Sequence, residues 1–76
     1  MTTILEKSGF NRDRKYKIVG TSPVSFAEAV RSAVKEASQS VRHMDWFEVV
    51  EMRGRLKDGD VAEFQVTLRI GFKLER

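Results

Sequence analysis

A chain of 76 residues is enough for one domain, but a domain of this size buries only about 60% of the surface that its unfolded form exposes. It holds 14 Lys+Arg against 11 Asp+Glu, a formal net charge of +3, one histidine and no cysteine. Disulfides, thiolate metal sites and histidine-rich sites are excluded, which leaves oligomerisation as the remaining stabiliser and anions as the favoured ligands.

No apolar run approaches the ~20 residues that a membrane-spanning helix needs, and the first residues lack the apolar core of a signal peptide. A soluble, cytoplasmic protein is therefore expected. Residues 1–13 show no steady period: Ser8-Gly9 and Asn11 break the pattern, and Ile4, Leu5 and Phe10 are scattered. They read as a flexible or loosely docked extension, with the domain occupying 14–76.

Lys15-Tyr16-Lys17-Ile18-Val19-Gly20 alternates polar and apolar residues and predicts a short strand, placed at a sheet edge by its lysines. Thr21-Ser22-Pro23-Val24-Ser25 stops that strand and opens a helix. Ser22 before Pro23 fits an N-cap, and Ser25-Phe26-Ala27-Glu28 fits a capping box, so the spacing leaves both starts open. Phe26, Ala29, Val30, Ala33, Val34, Ala37 and Val41 recur at the spacing of one buried helix face. Over that range, at ~1.5 Å per residue, the helix should run roughly 25 Å.

Asp45-Trp46-Phe47-Glu48-Val49-Val50-Glu51-Met52-Arg53-Gly54 opens a long strand with the only tryptophan in the chain. Its alternation is interrupted: Phe47 and Val49 share one parity, Trp46, Val50 and Met52 the other, and a bulge near Val49-Val50 reconciles the halves. Lys57-Asp58-Gly59-Asp60 supplies the Asp-Gly turn of a β-hairpin. In the last strand Phe64, Val66, Leu68, Ile70, Phe72 and Leu74 fall on one face, and Gln65, Thr67, Arg69, Gly71 and Lys73 on the other.

The order is β-α-β-β, an α+β fold with an antiparallel sheet and one helix on one face. Some eleven alternating residues at ~3.3 Å extend about 36 Å, which a helix roughly 10–12 Å across cannot cover. The uncovered apolar surface predicts an assembly.

No catalytic constellation is present. There is no Ser/His/Asp arrangement, phosphate loop or metal-ligand spacing, so no enzyme is expected. Glu48 and Glu51 point to opposite faces unless a bulge intervenes. His43 reads as a turn residue at a helix C-terminus, where the dipole favours it when protonated. What remains is a binding arrangement. Trp46 offers a flat, polarisable surface at a strand start, equally suited to capping the core. The Gln65 carboxamide both donates and accepts, which suits the edge of a planar heterocycle. Arg53, Arg55, Arg69 and Lys73 supply cations for a phosphate. Two other readings stand beside this one: a small basic nucleic-acid-binding module, argued against by the interleaved Glu48, Glu51 and Glu63, and a structural oligomer with a degenerate site.

Val19-Gly20-Thr21-Ser22, the helix opening Ser25-Phe26, Asp45-Trp46-Phe47-Glu48-Val49 and Phe64-Gln65-Val66 together resemble the dodecin family across about residues 15 to 75. The resemblance implies a three-stranded antiparallel sheet partly wrapped around the helix, in a hollow spherical homododecamer. It implies binding of a flavin, FMN foremost, with riboflavin or another flavin as alternatives. Storage of the flavin and quenching of its excited state, without turnover, are the expected role. Two isoalloxazine rings would stack as a pair across a two-fold axis, between symmetry-related tryptophans. By position, Trp46 would stack on the flavin and Gln65 would bond its pyrimidine edge. Asp45 and Arg53 would border the ligand, with Arg53 directed to the phosphate. Lys73 stands where some members have arginine, which keeps the charge and loses the planar fork. Some bacterial members also bind coenzyme A on the outer surface. It stays an open second ligand here, with no residue set to hold it.

Overall fold

The computed structural model describes residues 3–8 and 15–72. The expected β-α-β-β unit is present as β2 (Lys15–Ser22), α1 (Phe26–Ala37), β3 (Met44–Lys57) and β4 (Asp60–Phe72). A further strand, β1 (Thr3–Ser8), precedes it, and the antiparallel sheet has the order β1-β2-β4-β3. The core of the sheet is the predicted three-stranded antiparallel array β2-β4-β3. The expectation that β2 lies at the edge holds only within that array, because β1 pairs along its other side. The alternation of TILEKS is too weak to announce a strand, and it pairs with a bulge between Ile4 and Glu6.

The helix starts at Ser25. Its hydroxyl accepts from the Glu28 N–H at 3.0 Å, while the Ser22 hydroxyl accepts from the Val24 N–H at 2.9 Å one turn upstream. Both serines therefore bond backbone donors, but only Ser25 caps the helix. The predicted length is corrected: α1 has 12 residues, about 18 Å, and stops at Ala37. Ser38 caps the C-terminus, its hydroxyl donating to the Lys35 carbonyl at 2.7 Å, and Val41 lies beyond the last turn. His43, in the left-handed region at φ 63°, turns the chain into β3.

Ala29, Ala33 and Ala37 are buried against Ile18, Val66, Leu68 and Ile70. The contact is close because β2 offers Gly20 beneath the helix: a Cβ there would fall 2.5 Å from both the Ala29 carbonyl oxygen and the Ala33 Cβ. Phe26 meets Phe64 edge-on at 5.0 Å, and Tyr16 meets Phe72 at 5.0 Å. These pairs close the two ends of the core, each worth about 0.5–1.5 kcal/mol beyond area burial.

The β3–β4 hairpin outruns the helix. Strands of 14 and 13 residues extend about 45 Å at ~3.3 Å per residue, and the molecule measures 52 × 20 × 15 Å. The helix packs on β2 and β4. Phe47, Val49 and Met52 lie opposite Ile70, Leu68 and Val66 on the same face as the helix, yet are exposed. Toward the turn, where Asp58 and Gly59 both take positive φ as a type I′ hairpin requires, Leu56 is 78% exposed.

Candidate functional site

Three register shifts shape β3: between Met44 and Trp46, between Val49 and Glu51, and between Arg55 and Leu56. The second is the bulge anticipated at Val49-Val50. It adds one residue, so the parity changes, and Trp46, Glu48, Glu51 and Arg53 share the face opposite the helix. Their partners on β4 are Gly71, Arg69, Thr67 and Gln65 in turn. The two glutamates, which a regular strand would divide between faces, lie together.

The first shift takes Asp45 out of register, leaves it exposed, and sets Trp46 opposite Gly71. The indole lies over that glycine: a Cβ built on Gly71 would overlap Cε2, Cζ2 and Nε1 of the ring. Gly71 is accordingly buried, while Trp46 keeps 41% of its surface exposed. One side of the ring is thus supported by backbone, and two-fifths of the side chain's surface reaches solvent. Capping of the core is ruled out as its role, because the ring sits on the other side of the sheet from α1.

Gln65 and Arg53 face each other across the β3–β4 ladder on this same outer surface, with Thr21 of β2 on Gln65's other side. The Arg53 guanidinium is largely exposed and lies 3.7 Å from Glu51, and Arg69 lies 3.3 Å from Glu48. Exposed pairs of this kind contribute about 0–1 kcal/mol each, and they interrupt the basic face that a nucleic-acid groove requires.

The structure therefore places Trp46, with Asp45 next to it in β3, at one end of the hairpin, and Gln65 with Arg53 toward the other on the outer surface. Gln65 stands six positions before Gly71 on β4, about 20 Å away at ~3.3 Å per residue. One chain does not bring its own Trp46 and Gln65 onto one small planar ring. At the Trp46 end of the sheet, a cleft of about 120 Å³ bordered by Val34 of α1 and by Met44, Asp45, Trp46, Phe47 and Ile70 is smaller than the ~300–1,000 Å³ typical of ligand pockets. Lys73 lies outside the described residues. Sequence reasoning placed Gly71 on the correct face but gave it no role. The signal was a glycine inside an otherwise unbroken alternation, which marks close approach of another group. Among the described residues no group of three metal-ligating side chains occurs, and no helix is long and apolar enough to cross a membrane.

Comparison with known proteins gives one consistent result. A family model described as dodecin matches residues 14–75. The dodecin of Thermus thermophilus is 44% identical over 62 residues, which span 82% of this chain and 90% of that protein. The solved structure of dodecin from Streptomyces coelicolor superposes with a TM-score of 0.79 at 48% identity, covering 91% of this chain and 99% of that one. Dodecin from Streptomyces davaonensis gives 0.77 at 46% identity, covering 87% and 100%.

Proposed function

This chain belongs to the dodecin family of small flavin-binding proteins, and from that premise we propose that it stores flavin, FMN foremost, and quenches its excited state. It does so without turnover, in the cytoplasm, as a hollow homododecamer. The observation that carries the proposal is the Trp46 indole, laid over Gly71 on the outer face of the sheet with 41% of its surface exposed.

The ~20 Å between Trp46 and Gln65 on one chain argues for a site completed by a second copy. Across a two-fold axis one self-complementary surface supplies both walls, so two flavins stack as a pair between two copies of Trp46. Each indole contributes about 1–3 kcal/mol by stacking, on the scale measured for nucleic-acid bases. Gln65 donates to and accepts from the pyrimidine edge. Arg53, exposed and next to Gln65, binds the phosphate, while the exposed carboxylate of Asp45 borders the ring and disfavours an anion there. Lys73 is a second proposed cation, and coenzyme A a second ligand, on the family resemblance alone.

The indole in contact with the ring donates an electron to the excited flavin and takes it back, so the light energy is dissipated with no net oxidation. The exposed apolar face of β3 supports the assembly, because Phe47, Val49 and Met52 need a neighbouring chain to cover them. Titration of the wild type and Trp46→Ala with FMN and with riboflavin tests the site. The wild type should quench both and prefer FMN, Trp46→Ala should lose affinity and restore emission, and Arg53→Ala should erase the preference for FMN. Full quenching by Trp46→Ala would overturn the stacking arrangement.

A further inference from the structure

We propose that Gly71 is a positioning residue of the flavin site: it acts through Trp46 by providing a bare backbone seat on which the indole lies flat against the sheet. The inference rests on the flavin-binding reading above and adds a residue to it. A tryptophan on a strand has several staggered rotamers, and strand side chains ordinarily stand roughly perpendicular to the sheet. Here the cross-strand partner has no side chain, and the ring takes the space where a Cβ would be, overlapping it at Cε2, Cζ2 and Nε1.

The consequence is geometric. A ring lying on the sheet presents one broad face outward, which is the orientation that stacking requires. With a methyl at position 71 the indole has to lift or swing until van der Waals contact is restored, and it then enters the volume that a stacked ring system needs. The neighbouring outward-facing β4 positions, Gln65, Thr67 and Arg69, carry side chains that would not allow the same seat. The bulge at Asp45 brings Trp46 into register with the glycine. Glycine weakens a strand interior, so alanine's better strand propensity offsets part of the indole contact that is lost, and particle size read beside affinity separates loss of binding from loss of fold.

Gly71→Ala is measured beside the wild type in three ways: FMN affinity by quenching, tryptophan emission and near-ultraviolet circular dichroism without ligand, and particle size. The expected result is an unchanged particle, a shifted tryptophan spectrum without ligand, and FMN affinity reduced roughly tenfold, the scale of one weakened stacking wall. FMN affinity within about twofold of wild type, with an unchanged spectrum, would overturn the proposal. A wild type that binds no flavin would sink the functional reading and this site role with it, while the ligand-free spectra still decide whether Gly71 seats the ring. Should the variant not fold, the wild-type NMR spectrum decides the seat. The Gly71 α-protons under the indole face should be displaced upfield of those of the other glycines, and ordinary shifts there would contradict it.

Discussion

Glu48 lies 3.3 Å from Arg69 across the β3–β4 ladder, on the same face as Glu51, because the bulge at Val50 changes the parity of the strand between them. The same change places Trp46 and Arg53 on one surface. In a regular strand they would be on opposite sides of the sheet, and no single face of the hairpin could carry both.

The Glu48–Arg69 pair gives a direct check on this register. The Arg69 and Glu48 side chains are 36% and 49% exposed, so the interaction is screened and small. A double-mutant cycle with Glu48→Gln and Arg69→Gln, read by urea denaturation, should give a coupling of about 0.2–1 kcal/mol at low salt, falling toward zero at high salt. An unfavourable coupling, or one that added salt leaves unchanged, would contradict the pairing.

Assembly should depend on the apolar face of β3 beyond the helix. Met52 is 55% exposed opposite the fully buried Val66, so a charge there leaves the core of one chain intact but is costly once a neighbour covers it. Met52→Asp should elute from a sizing column as a much smaller particle with native-like circular dichroism. A particle of wild-type size would show that this face is not an interface.

Gly20→Ala should destabilise the fold by about 1–3 kcal/mol. The added methyl meets the Ala29 carbonyl and Ala33, which are buried and cannot retreat without moving the helix. Chemical denaturation measures the loss, and an unchanged midpoint would mean that the helix sits farther from β2.

Ser25→Ala removes the hydroxyl that accepts from the Glu28 N–H at 3.0 Å and should lower stability by about 1 kcal/mol. Ser22→Ala leaves the helix end capped and should not reproduce the helix fraying that Ser25→Ala produces. Amide exchange at Phe26–Ala29 distinguishes the two.

Much of the fold was legible because its periods are strong. The three alanines of α1 and the alternation of Val66, Leu68 and Ile70 are physical requirements of a helix lying on a sheet, and they identify the buried residues. The bulge was legible as a clash of parities around Val49. The end of α1 was not, because Val41 continues the apolar spacing past Ser38 although the helix has already been capped. Strand β1 was hidden because backbone pairing along β2 needs no side-chain pattern. The seat under Trp46 was legible only as a glycine within the alternation: which residue lies over it depends on the ladder, and the shift at Asp45 sets that partner.

The most direct test of the central claim is a titration of FMN with the purified protein, followed by fluorescence and run beside a calibrated sizing column. A two-fold site gives one flavin per chain, so quenching should be nearly complete at about that ratio, on a particle of about twelve chains. Undiminished flavin emission in the presence of the same large particle would contradict flavin storage, and a monomer would contradict the assembly as well.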